Sequence, residues 1–125
     1  MYMIKEGREM RRVYIAGAIS APNLLQALDN IRRGVRVANS CLEAGYAVFV
    51  SHIDFQLFLG LNDGQTISEE TIKAQSMAWL EVSDAVVLVA GWKNSKGTKK
   101  ELEHADRLGI PVYYDLEELR EKMPA

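Results

Sequence analysis

The sequence is poor in several things, and each shortage excludes something. One cysteine, Cys41, in 125 residues excludes an internal disulfide. With only two histidines, His52 and His104, beside that cysteine, no Cys/His zinc cage is expected, and neither a metal nor an organic cofactor is indicated. No apolar run approaches the ~20 residues that cross a bilayer. The opening "MYMIKEGREMRR" is charged and lacks the apolar core of a signal peptide. A net charge of −2 gives no general attraction to a nucleic-acid polymer or an anionic membrane. There is no internal repeat, low-complexity tract or interdomain linker. The expectation is a cytoplasmic protein whose partners are neither nucleic acid nor membrane.

What remains is an ordinary globular balance, 48% hydrophobic and 26% charged, in a chain that suits one core. Residues 1–11 read as a flexible leader and 12–125 as a single domain. "RVYIAGA" (12–18), "YAVFVSH" (46–52), "DAVVLVA" (84–90) and "IPVYY" (110–114) read as strands, the third apolar enough to be covered on both faces. Helices are expected over 23–44, with Leu24, Leu28, Ile31, Val35, Ala38 and Leu42 on one apolar face, over 68–82, over 98–108 and in "DLEELREKM". Ser20 is placed to cap the first, with Pro22 in its first turn and Gly45 ending it. A Thr66/Glu69 capping box opens the second. Cys41 lies on the first helix's apolar stripe as a packing residue. The alternation predicts a three-layer α/β fold with a mainly parallel sheet of four or five strands and right-handed crossovers.

Ligands of such sheets bind beyond the carboxyl ends of the strands. The first suspects are therefore Gly17 to Ser20, Ser51 to Asp54 and Gly91 to Thr98. Two of these loops carry glycine and lead into helix N-termini, where free N–H groups favour a phosphate. Ser20, Ser95 and Thr98 add hydroxyls. The same serines also serve as caps, and the glycines as turn residues. Glu101 falls near the start of its helix among Lys96, Lys99 and Lys100. Those lysines and the dipole are expected to keep it ionised, as a nucleophile on a sugar carbon must be; a Glu there is also an ordinary dipole partner. His52 and Asp54 lie where a base would sit, and His52 has the right intrinsic pKa for an acid, though a His after a strand is commonly a hydrogen-bonded loop residue. Phe55 and Phe58 suit base stacking or the core. Trp79 is expected in a helix interface, Trp92 as a shield over the crevice or as packing, and Glu103 and Asp106 on a solvated face.

"VYIAGA" and "SDAVVLVAGWKNSKGTKKELEHADRLGIPVYY" resemble the nucleoside 2-deoxyribosyltransferase family over about residues 12–114. They look closest to its small 2′-deoxynucleoside 5′-monophosphate N-glycosidase-like members and to uncharacterised relatives often carried by phages. The resemblance implies a flavodoxin-like fold that cleaves an N-glycosidic bond. It implies Glu101, in Gly97-x-x-x-Glu101, as the nucleophile and Tyr14 as its positioner. It further implies Ser95 as a holder of the 5′-phosphate and Gly17 as the glycine of the first phosphate loop. The sequence departs from that pattern in three places. Ser76 stands where the family has an aspartate that helps protonate the leaving base, and a serine is a poor general acid. Glu81 is about a turn too far along to replace it, and Asp84 lies at the wrong end of its strand. "GAIS" lacks the arginine of the close nucleotide hydrolases, whose charge Lys93 or Lys96 would have to replace. The C-terminal region shows no match to residues that a neighbouring subunit supplies.

The expected activity is cleavage of a (deoxy)nucleoside 5′-monophosphate, by hydrolysis or base transfer, in a homodimer or homotetramer. The alternative is a non-catalytic nucleotide-binding module, a sensor or sequestering protein. A third reading, a scaffold for a protein partner, has no exposed amphipathic or basic segment to motivate it.

Overall fold

The computed structural model describes residues 6–125. Four parallel strands, β1 (Arg12–Ala16), β2 (Ala47–Val50), β3 (Ala85–Leu88) and β4 (Val112–Tyr113), form one sheet in the order β2-β1-β3-β4. Four α-helices alternate with them: α1 (Leu24–Glu43), α2 (Glu69–Glu81), α3 (Lys96–Leu108) and α4 (Leu116–Lys122). This is the expected three-layer α/β sandwich. From β1 the chain steps outward to β2, then returns past β1 to β3 and β4. Crossovers of one hand that run in opposite directions must lie on opposite faces. Accordingly α1, with α4, covers one face, and α2 and α3 cover the other.

Period-2 alternation sorts the strand residues between these layers. Val13, Ile15, Ala85, Val87 and Val89 pack on Ala38 and Cys41 of α1 and Leu119 of α4. Tyr14, Ala16, Val86 and Leu88 pack on Leu80 of α2 and Ala105 of α3. Each large aliphatic side chain enclosed in this way contributes about 2 kcal/mol relative to exposure. Pro111 sits just before β4, an edge strand, where its missing N–H costs no ladder bond.

Several boundaries differ from the sequence reading. Asn23, not Ser20, caps α1, its Oδ1 accepting from Gln26 N at 2.9 Å. Pro22 precedes the cap instead of entering the first turn. Ser68, not Thr66, caps α2, accepting from Thr71 N at 3.1 Å. A short polar side chain at the last extended residue wins in both cases, because it alone reaches the free N–H groups of the first turn. Gly45 does end α1, at φ +102°. The buried stripe of α1 is Gly34, Ala38 and Cys41, whereas Leu24, at 75% exposed, and Leu42 face outward.

"IDFQLFLG" belongs to a 3₁₀ segment, Ser51–Gly60, followed by a turn in which Gly64 has φ +82°. Phe55 and Phe58 are half-exposed on it and not in the core. Trp79 is 51% exposed and stacks on Phe49, with ring centroids 5.7 Å apart, because edge strand β2 offers no further layer there. Of the expected leader, residues 1–5 lie outside the described residues. Gly7–Glu9 form a single 3₁₀ turn, and Arg11 Nε donates to Pro124 O at 3.0 Å. No described helix is long and apolar enough to cross a membrane.

Candidate functional site

Tyr14 is the third residue of β1, so alternation turns it toward α2 and α3, and it is fully enclosed. Its ring stacks on Phe49 of β2 at 5.4 Å. At its hydroxyl three elements meet: Glu101 from α3, Ser76 from α2 and Ser51 from the 3₁₀ segment. These groups are close enough to act on one another, yet neither Tyr14 Oη nor Glu101 Oε2 closes a hydrogen bond of ordinary geometry with a protein atom.

Burial raises the Glu101 carboxyl from its ordinary 4.5 to about 7, and the Tyr14 hydroxyl partly opposes that rise. Burial, with the Glu101 charge beside it, pushes the phenol of Tyr14 far above its usual range. The expectation that lysines and the dipole hold Glu101 ionised is therefore corrected. Helix α3 begins at Lys96, two residues earlier than expected, which puts Glu101 in the second turn, beyond the reach of the dipole. Lys99 and Lys100 are two and one residues away and so point to other sides of the helix, and all three lysines are exposed. The residues that do share its face are Gly97 and Thr98, at i−4 and i−3. Thr98 is 1% exposed, and its Oγ1 has no partner.

A crevice of about 380 Å³ opens between the loops after β1 and β3. Ala18, Ser20, Asn30, Arg33, Gly91 and Asn94 are among the residues that line it. It lies where the strand order reverses, between β1 and β3. Gly91 turns the second loop at φ +90°, a conformation open chiefly to glycine. Arg33 reaches from α1 across the crevice, with Nη1 3.5 Å from Ala90 O. Asn30 Nδ2 donates to Ile19 O at 3.3 Å and ties the first loop to α1. Ser95 caps α3, its Oγ accepting from Thr98 N at 3.1 Å, which leaves its own proton free to donate. Ser95, Gly97 and Thr98 are not among the lining residues of this crevice, whereas Ser20 is.

His52 is not an acid poised near neutrality. It is 1% exposed, and burial lowers its pKa to about 4, so the ring is neutral at pH 7. The Ala18 backbone lies close enough to the ring to oppose that fall, though neither ring nitrogen closes a hydrogen bond of ordinary geometry. The ring fills the space left by Gly34, where a Cβ would overlap it, and lies near Gly17, where a Cβ would come within 2.6 Å of Val89 Cβ. Gly17 is thus the glycine of a close contact beneath the first loop. Asp54 is half-buried, its Oδ2 unpartnered and its carboxyl raised by burial. Trp92 packs against the Leu80–Ala105 side of the core, with Lys93 Nζ 5.8 Å from its ring centroid. Glu81 pairs with His104 at 3.0 Å, and Asp84 accepts from Arg12 N at 2.7 Å at the amino end of β3, so neither belongs to the site. Glu103 and Asp106 are exposed as expected.

The sequence pattern of a family described as a domain of unknown function, DUF4406, matches residues 11–114. The chain belongs to the DUF4406 family. No curated protein matches it. The matched region of this DUF4406 domain runs from the start of β1 to the end of β4 and contains the whole Tyr14–Ser51–Ser76–Glu101 cluster and the crevice. Among the described residues, no three His, Cys, Asp or Glu side chains converge as metal ligands.

Two parts of the site escaped the sequence reading. Ser51 was within a suspected loop but received no role, since nothing local says that it meets Tyr14. Arg33 was missed altogether. A signal existed: Gln26, Asn30 and Arg33 recur at helical spacing of four and three, a polar stripe on the helix that follows the first glycine loop.

Proposed function

We propose that this protein cleaves the N-glycosidic bond of a nucleoside or deoxynucleoside 5′-monophosphate, by hydrolysis or base transfer, with Glu101 as nucleophile. One observation carries the reading. Among the described residues, the buried side-chain polar atoms without a hydrogen-bond partner belong to Tyr14, His52, Asp54, Thr98 and Glu101. Thr98 and Glu101 lie on α3, His52 and Asp54 on the segment after β2, and Tyr14 in the middle of β1. Buried polar atoms are nearly always paired, and each orphan costs on the order of 1–3 kcal/mol. Three of them, Tyr14, Thr98 and Glu101, belong to the one cluster between β1 and α3, as a ligand site requires.

The chemistry follows from the groups present. Glu101, ionised, attacks the anomeric carbon, and Tyr14 donates to its carboxylate and fixes the attacking oxygen. Arg33, the free N–H groups of the loops and the hydroxyl of Ser20 hold the 5′-phosphate in the crevice. Arg33 supplies the cation that "GAIS" lacks, in place of Lys93 or Lys96. The resemblance of residues 12–114 to nucleoside 2-deoxyribosyltransferases supports the same assignment. We place the enzyme in the cytoplasm as a homodimer or homotetramer; the exposed Leu24, Leu25, Phe55 and Phe58 near the mouth of the site suit a subunit contact.

A second reading, a non-catalytic nucleotide binder, rests on Ser76. The α2 residue that meets Tyr14 carries a hydroxyl and no acid. The test is chromatography of ribo- and deoxynucleoside 5′-monophosphates incubated with the wild type and with Glu101→Ala. Free base from the wild type alone supports cleavage. Intact nucleotide that nevertheless raises the melting temperature supports the binder.

A further inference from the structure

The Tyr14 hydroxyl is met by one carboxyl, that of Glu101, and by two other hydroxyls, those of Ser76 and Ser51. A serine hydroxyl is too weak an acid to protonate a departing base, and burial makes the Tyr14 phenol a weaker acid than usual. The other acids are engaged elsewhere: Glu81 pairs with His104, and Asp84 accepts from Arg12 N. His52 packs against Gly34 on the α1 side. No charged group acts on Asp54, and neither Tyr14 nor Glu101 feels its charge. Glu101 is thus the single carboxyl of the cluster, and it has no cation either. Its Oε2 is enclosed without a partner. Burial and the Tyr14 hydroxyl govern its titration, with no lysine, arginine or histidine among the influences. The ion pairs among the described residues do not include it. Buried carboxylates are ordinarily paired with a cation. Here the protein provides none, although the proposed reaction needs the ionised form.

We propose that the substrate is a nucleoside 5′-monophosphate whose base carries a fixed positive charge on a quaternised ring nitrogen, as in a pyridinium or an N7-alkylated purine. This inference rests on the proposed function and names its substrate class. One ligand property then meets both shortages of the site. The charge of the base is the cation that Glu101 lacks, and it stabilises the carboxylate in which the nucleophile must attack. The same charge makes a proton donor unnecessary. The Glu101 carboxylate forms a bond to the anomeric carbon as the bond from that carbon to the base nitrogen breaks. The electron pair of that bond passes to the base and cancels its positive charge, so the base leaves neutral with no proton added. Water then attacks the anomeric carbon, and the electrons of the bond to Glu101 return to its oxygen. The proton of that water passes to the released carboxylate and from there to solvent. The products are neutral base, sugar phosphate and one proton, and Glu101 is restored. At the other end of the ligand the 5′-phosphate meets Arg33 in the crevice.

The experiment measures base release by the wild-type protein from two matched pairs, each in ribo and 2′-deoxy form. The first pair is 7-methylguanosine 5′-monophosphate and guanosine 5′-monophosphate, which differ by one methyl group and one positive charge. The second is nicotinamide riboside 5′-monophosphate and its dihydro form, which has the same shape and no charge on the ring. Glu101→Gln serves as the blank for spontaneous loss of base. A general acid contributes typically 10²–10⁴-fold. In a site without one, kcat/KM for the cationic member should exceed that for its neutral partner by roughly 100-fold or more. A large ratio in one pair alone upholds the inference and distinguishes a purine from a pyridinium. Smaller ratios in both pairs would mean that the site supplies a proton, and would overturn this inference while leaving the proposed function standing. A wild type inert on all of these substrates overturns the proposed function, and this inference with it.

Discussion

Glu101→Gln should make this protein more stable above neutrality while removing its nucleophile. Glu101 rises from 4.5 to about 7 on folding because its charge is desolvated. At 1.36 kcal/mol per pH decade, ionising it in the folded protein costs about 3 kcal/mol more than in the unfolded chain. The sign follows from proton counts. Between about 4.5 and 7 the folded state holds more protons than the unfolded state at this site, so stability falls as pH rises through that window. His52 acts in the opposite sense. It goes from 6.5 to about 4 on folding, so between those values the unfolded state holds more protons and stability rises with pH. The two contributions are of similar size and largely cancel each other from about pH 4.5 to 6.5 in the wild type. In Glu101→Gln the Glu101 contribution is gone, and the His52 slope is no longer opposed by it. The variant should therefore gain on the wild type steadily over that range, reaching a relative gain of about 3 kcal/mol near pH 8, or roughly 10 °C in Tm for a domain of this size. Denaturant titrations of both proteins at several pH values measure this directly. Groups common to both drop out of the difference. A difference that stays constant with pH would refute the argument that burial governs Glu101.

Tyr14→Phe removes the donor that opposes the rise in the Glu101 pKa. The acid limb of its kcat/KM profile should move to higher pH, with a loss of ten- to a hundredfold in rate; an unmoved limb would mean that the hydroxyl does not address Glu101. Arg33→Ala should raise KM for a nucleoside monophosphate about tenfold or more, in line with the ~1.5–3 kcal/mol of a charged hydrogen bond. It should leave KM for the nucleoside without phosphate unchanged, and steady-state kinetics on the pair decide the point. Gly34→Ala forces a methyl into the His52 ring. It should destabilise the fold by about 1–3 kcal/mol or more in denaturant titrations, with displacement of the first loop.

The layer structure was legible because its signals are local. After Asp84, "AVVLVA" is apolar at every position, as suits a strand covered on both faces, and β3 is such a strand. Tyr14 and Glu101 were legible by spacing and resemblance, and they do meet. The electrostatics were not. Three lysines adjacent in sequence suggested an ionised carboxylate, but neighbours one and two residues apart on a helix point away from each other, so burial decides the titration. The α1 face was misread in a similar way. Leu24 and Leu42 fit the apolar period but face solvent, and the stripe that packs is Gly34, Ala38 and Cys41. His52 looked like a catalytic residue by type and position. Its true environment depends on Gly34, 18 residues earlier in the sequence and in contact only once α1 folds back on the segment after β2. Arg33 reaches the crevice for the same reason, from a helix whose rotation the sequence alone leaves open.

The most direct measurement is base release from a panel of nucleoside 5′-monophosphates, ribo and deoxy, by wild-type protein and by Glu101→Gln in parallel. Folding of the variant is confirmed by its melting temperature. The account predicts free base and sugar phosphate from the wild type on at least one nucleotide, and none from the variant. Release by Glu101→Gln at the wild-type rate would contradict the central claim, because cleavage would then not pass through this carboxylate.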